Sequence, residues 1–230
     1  MAAAETTHAQ SPPKQAAPGR GRRAQRVSGD EREAAILATA ERLLEERALA
    51  EISVDDLARG AGISRPTFYF YFPSKDAVFL SLIDRLVEQA AIGQGDLIER
   101  LAEDPARRWR EGLEVFHQIF GAHRAVVIAG AQARATNAEA QQLWSEIMER
   151  WVTDATEAIE AERARGAAQA GVPARELAIA LVSMNERVMY ATFASEVPHV
   201  ADADVVGVLL SVWLSAIYGS GLPPAADARA

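Results

Sequence analysis

The sequence predicts an all-α fold, with a short N-terminal helix-turn-helix unit followed by a larger helical bundle. Three observations predict it. Apolar residues recur at three- and four-residue spacing from Asp30 almost to the C-terminus, the period of helices with one buried face. There is no alternating apolar–polar run and no Asn-Gly hairpin dipeptide, so strands have no sequence support. Finally, Ile52 to Asp76, ISVDDLARGAGISRPTFYFYFPSKD, carries the start and stop signals of three successive helices.

The first helix is expected over Asp30–Arg47, where Ala34, Ile36, Leu37, Ala40, Leu43 and Leu44 share a face. Ser53 can cap a second helix whose first turn holds Asp55 and Asp56, and the Ser-x-x-Asp spacing suits a capping box and the helix dipole. Ala61-Gly62-Ile63 ends it with a turn that needs glycine, and Ile63 is an apolar plug between helices. Ser64 can cap a third, short helix over Arg65–Phe72, with Pro66 in the first turn, where a missing N–H is harmless. Pro73 stops it, and Ser74 caps the helix that starts at Lys75. Further breaks are expected near Gly93–Gly95, Asp104-Pro105, Gly121–His123, Gly166–Pro173 and Val197–Ala203. The last helix, Asp204 to Tyr218, is apolar nearly all round. Four segments follow: a flexible basic arm over 1–29, the helix-turn-helix over 30–76, a bundle over 77–219, and a flexible tail over 220–230.

Two short helices joined by a glycine-containing turn form the unit that lays its second helix in the DNA major groove. The segment Ile52–Asp76 resembles the TetR family of transcription repressors. The resemblance implies a TetR-type fold, with the C-terminal bundle serving ligand binding and dimerisation. It also implies that Thr67 and Tyr69 meet bases or phosphates, that Pro66 presses on a thymine methyl, and that Tyr71 and Lys75 bond phosphates. Arg65 is a candidate for a guanine edge. Ser53 and Ser64, at the two helix N-termini, complete the DNA-facing set. Tyr71 stands where many members carry His. The five successive aromatics, Phe68 to Phe72, could instead be core. Five consecutive helical residues cover every face, however, so Phe68 and Phe72 are placed inside and the two tyrosines outside.

The net charge of −8 looks wrong for a DNA binder until it is divided along the chain. Residues 1–29 hold five basic groups (Lys14, Arg20, Arg22, Arg23, Arg26) against Glu5, so the arm is strongly positive and the remaining body strongly acidic. The arm either neutralises phosphates or enters a minor groove beside the recognition helix, or it is an inert solvated tail. The chain has no cysteine, which excludes disulfides, thiolate metal sites and thiol nucleophiles. With no apolar leader and no membrane-length apolar run, a cytoplasmic protein without membrane contact is expected.

Trp109, Gly112, Phe116 and Phe120 fall on one helix face, Trp144, Met148 and Trp151 on another, and Asn185, Met189 and Phe193 on a third, with Trp213 in the last helix. Pattern alone allows solid core or a cavity, and Gly112 amid rings leaves room. The motifs WREGLEVF, ARATN, LWSEIMERW, ERARGAA, MNER and VWLSAIYG resemble the EthR-like branch of the family, from about Arg20 to Gly219. That resemblance implies that Trp109, Gly112, Phe116, Phe120, Trp144, Met148, Trp151, Asn185 and Trp213 line an apolar effector channel, with Asn185 orienting a ligand carbonyl or amide. Two positions depart from the branch: Val182 replaces a second Asn, and Asp154 replaces a Tyr. Asn185-Glu186-Arg187 interrupts an apolar helix, where Glu186 and Arg187 either pair, face solvent, or link core to interface.

Catalysis is not expected. The four histidines are scattered, with no i, i+4 metal pair, no phosphate loop after a strand and no Gly-x-Ser-x-Gly elbow, and no cofactor is called for. The last helix and the one holding Met184 and Val188 need a partner for their outer faces, which predicts a homodimer. The reading is a repressor that binds double-stranded operator DNA and is released by an apolar small-molecule effector. The resemblance implies that several dimers can load one operator. The rival is a helical carrier of lipophilic molecules, in which Arg65 to Lys75 would have no purpose.

Overall fold

The computed structural model describes residues 29–96 and 100–219. The basic arm except Gly29, and the tail 220–230, lie outside them. Among the described residues the chain is helical throughout: α1 (Gly29–Glu46), α2 (Val54–Gly60), α3 (Arg65–Phe68), α4 (Lys75–Gln94), α5 (Pro105–Ala122), α6 (Arg124–Ala133), α7 (Ala138–Ala164), α8 (Ala174–Phe193) and α9 (Val205–Tyr218). Short 3-10 turns at Leu49–Glu51 and Asp202–Asp204 precede α2 and α9.

The expected caps are present. Ser53 accepts from the Asp56 amide while the Asp56 carboxylate accepts from the Ser53 amide, closing the box. The Ser53 hydroxyl, which donates to Asp56 Oδ2 at 2.6 Å, and then the Ser53 amide hold the Asp56 carboxyl below its ordinary pKa, ahead of attraction from Arg47 and Arg59. The cap's contribution is therefore complete above the ordinary carboxylate range and is lost as pH falls through the lowered value. Ser64 and Ser74 accept from the Thr67 and Ala77 amides. Gly62 takes φ +67 in the turn between α2 and α3, a left-handed conformation costly for other residues.

The third helix is shorter than expected. Regular α structure stops at Phe68, and the chain continues to Phe72 in tight turns, with the Phe70 amide on Thr67 and the Tyr71 and Phe72 amides on Phe68. Pro73 cannot donate, so the coil has no means to extend.

One core cluster joins both halves of the molecule. Ile36, Leu37, Leu57, Phe68 and Phe72 of the reader pack with Val78, Phe79, Leu82 and Ile83 of α4, Val126 of α6 and Ile147 of α7. Below it, α7 packs on α8 and α5 on α9. Two smaller clusters form there, centred on Ile159, Leu181 and Trp213 and on Leu113, Met189 and Leu209. No described helix is long and apolar enough to cross a membrane.

Candidate DNA-reading surface and effector cavity

On the reader, α3 and its C-cap Tyr69 present Arg65, Pro66 and the Tyr69 ring to solvent, and α3 buries Phe68 completely. The Arg65 guanidinium donates to Asp55 Oδ2 at 3.0 Å and to the Tyr69 hydroxyl at 3.4 Å. Both contacts lie at the surface, where an ion pair contributes little and exchanges readily for another anion. Thr67 is half-buried, its hydroxyl 2.8 Å from that of Ser64. The Ser53 and Ser64 side chains are occupied by their caps.

Two residues sit differently from expectation. Tyr71, expected outside, is half-buried against the core, because the turn after Phe68 rotates it inward. Lys75, expected free for a phosphate, donates from Nζ to the carbonyls of Leu49, Ala50 and Ile52 at 2.8, 3.2 and 2.9 Å. Three acceptors match its three donors, so the ammonium ties the start of α4 to the segment before α2. Phe70 was not singled out by sequence, yet it is 87% exposed. Its signal was available, since with Phe68 and Phe72 inside, the ring midway between them must point out.

Behind the reader lies a cavity of about 440 Å³, within the range of small-molecule sites. Ile83, Leu86 and Val87 of α4 form one wall. Trp109, Gly112, Phe116 and Phe120 of α5 form the second, and Trp144 and Trp151 of α7 the third. Asn185 of α8 and Trp213 of α9 close it. Met148 does not line it. That side chain packs instead with the cluster around Ile159 and Leu181, because α7 must also cover α8. Residues the sequence did not single out also line it, among them Arg108, Arg134 and Arg150.

The rings are locked to one another. Phe116 stacks on Phe120 at 5.8 Å, and both meet Trp151 edge-on at 5.1 and 5.9 Å. Trp109 and Trp213 lie 4.7 Å apart. The Trp213 indole N–H donates to Asn185 Oδ1 at 2.9 Å. With its oxygen used, Asn185 offers the cavity its NH₂ donor, which suits a carbonyl acceptor. A Cβ placed on Gly112 would approach nothing closer than 3.9 Å, at Gln94, so this position keeps open space beside the rings.

A polar chain fixes the lower end. Trp109 Nε1 donates to the Tyr218 hydroxyl at 3.0 Å, which donates to Glu162 Oε2 at 2.7 Å. Arg165 donates to both Glu162 oxygens at 2.6 Å. Glu162 is 2% exposed. Burial, then the bond to Glu162, raises the Tyr218 pKa above its ordinary value. Glu186 and Arg187 do not pair with each other. Glu186 accepts from Arg134 at 2.8 Å and Arg187 donates to Glu196 at 2.8 Å. Arg134 also lies 4.5 Å over the Trp144 ring. His117 faces Asp202 at 3.2 Å. No group of acidic or histidine side chains suited to a metal occurs among the described residues.

Residues 36–82 match the family described as bacterial regulatory proteins, tetR family. Residues 109–219 match that of the transcriptional regulator EthR, C-terminal domain. The chain is 55% identical over 210 residues to the HTH-type transcriptional regulator EthR of Mycobacterium tuberculosis, covering 89% of this chain and 95% of that one. It is 54% identical over 201 residues to EthR of Mycolicibacterium smegmatis, covering 87% and 93%. Among solved structures, a TetR-family regulator from Syntrophomonas wolfei superposes with TM-score 0.69 at 18% identity, covering 86% of this chain and 99% of that one. NalD of Pseudomonas aeruginosa, the secondary repressor of the MexAB-OprM efflux pump, gives 0.67 at 20%, covering 84% and 100%.

Proposed function

We propose, for a chain that belongs to the EthR branch of the TetR family of bacterial transcriptional regulators, a repressor mechanism in which α4 carries the effector signal. The protein is a ligand-responsive DNA-binding regulator and not an enzyme, and the carrier reading is not favoured. One observation carries the mechanism. The same helix that props the reader through Lys75 also walls the cavity through Ile83, Leu86 and Val87. A ligand that wedges the α4 wall outward shifts the base of the reader. Because core packing is dense, the shift passes along α4 as a rigid displacement rather than being absorbed.

The reading continues to a two-fold dimer through α8 and α9. Ile179, Val208 and Val212 are 43, 43 and 40% exposed there, an apolar row that a second copy would cover. Two readers then address successive major grooves about 34 Å apart. The effector binds the state whose spacing does not fit, and DNA weakens effector binding by the same factor. The basic arm assists on phosphates, several dimers load one operator, and the protein acts in the cytoplasm.

On this reading the DNA-facing set is led by Tyr69, Arg65, Thr67 and Pro66, joined by Phe70. Tyr69→Ala is expected to weaken operator binding about 10- to 100-fold, the range for losing one good contact. Fluorescence anisotropy against the upstream intergenic DNA measures it, and unchanged affinity would displace Tyr69 from the interface. Asn185→Ala is expected to leave operator affinity intact while raising the effector concentration that releases DNA by about 5- to 10-fold, the value of one desolvated hydrogen bond. The same anisotropy assay with added ligand reads it. An equal response would remove Asn185 from the recognition of ligand.

A further inference from the structure

The α7 wall of the cavity changes character along a single helical stripe. Trp144, Trp151 and Asp154 are separated by seven and three residues, a spacing that keeps them on one face, and all three line the cavity. A carboxylate therefore stands where the stripe otherwise carries rings. Among the described residues it has no hydrogen-bond or ion-pair partner.

The other charged groups around the cavity are neutralised locally. Arg108 gives its terminal nitrogens to Glu103 and Glu111, both at 2.9 Å. Arg134 is held by Glu186 and Trp144. What remains is Asp154 and Glu157 against Arg150, an excess of negative charge at the rim. Although Asp154 is exposed, neighbouring groups at the rim partly desolvate its carboxyl and raise its pKa, Glu157 raises it further, and Arg150 opposes them. Asp154 is solvent-exposed at the rim, so its carboxylate loses its remaining water only when a ligand covers it, and a cation carried by that ligand would offset the loss. Two cations oppose this preference: the buried Nε of Arg108, which has no acceptor, and Arg150, which lines the cavity without an ion pair among the described residues, and each would favour an anion.

We propose that the effector is an elongated apolar molecule ending in a protonated amine, its ammonium group against Asp154 and its body among Trp151, Phe116 and Trp144. The proposal rests on the effector-cavity reading above and names the ligand class for it.

Three probes of one shape and different charge test it: phenylbutylamine, phenylbutanol and phenylbutyrate. Binding to the full-length protein is read by tryptophan emission and by release of operator DNA. The amine is expected to bind about fivefold more tightly than the alcohol, as a rim ion pair allows, and the butyrate more weakly than either. In Asp154→Asn the amine-to-alcohol ratio should fall to one. In Asp154→Lys the order of amine and butyrate should reverse. Ratios are taken within each protein, so a general loss of affinity does not imitate the result. Equal binding of amine and alcohol by the wild-type protein would overturn the ligand class and leave the cavity reading standing, as would a butyrate preference set by Arg108 or Arg150. Failure of all three probes to bind would overturn both.

Discussion

Phe68→Ala is expected to destabilise the whole protein by about 3–5 kcal/mol, the cost of removing a phenyl group from a packed interior. The ring is fully buried, its edge meets Tyr69 at 5.5 Å, and Phe72 lies 6.2 Å away. Its cluster extends through α4 to Val126 and Ile147, so the loss should appear in the thermal melt of the entire helical signal rather than as early fraying of the reader. Operator binding should fall to the nonspecific level. Phe70→Ala is the internal control. That ring is 87% exposed, and its removal should change stability by no more than about 0.5 kcal/mol. A Phe68→Ala melt within about 1 kcal/mol of wild type, on the scale that core truncations set, would show that the aromatic run is not anchored as described.

The second large effect is expected at Glu162→Ala. Removing one side of a fully buried charged pair costs about 3–5 kcal/mol, because the partner is left uncompensated. Arg165 is partly exposed, so the loss here is expected toward the lower end of that range. Here the deletion strips Arg165 of both its carboxylate bonds and leaves the buried Tyr218 hydroxyl without an acceptor. For a chain of this size a loss of that order lowers Tm by about 10 °C. Trp109, which donates to the same hydroxyl, should then loosen, so effector affinity is expected to fall with stability. Glu162→Gln retains one acceptor and should recover part of both. Calorimetric melts of the two variants decide the point. A Glu162→Ala protein that melts like wild type would show that the chain of bonds does not bear on stability.

The features legible in sequence were those written over short distances. Ser53, Ser64 and Ser74 cap helices within three residues of themselves, so their roles are visible in a few letters. The inward placement of Phe68 and Phe72 follows from four-residue spacing, and the breaks at Asp104-Pro105 and Val197–Ala203 follow from proline. What stayed hidden depends on partners far along the chain. Lys75 reaches carbonyls 23 to 26 residues away. Met148 belongs to the same stripe as Trp144 and Trp151, but α7 packs against two neighbours, and only their arrangement decides which side each residue serves. Glu162 lies in the charged run ERAR, which reads as solvated until Tyr218, 56 residues later, is placed against it.

The core shared across Asp76 bears on recombination. A hybrid regulator that takes its DNA specificity from this chain cannot be joined at the end of the recognition unit. Val78, Phe79, Leu82 and Ile83, which lie beyond that point, form the floor on which Phe68 and Leu57 rest. A junction after Gln94, where α4 ends at the turn through Gly95, carries the floor along with the reader. In this architecture the smallest transferable unit of specificity therefore includes the helix that also walls the effector cavity, so exchanging operators between regulators replaces part of the ligand site as well.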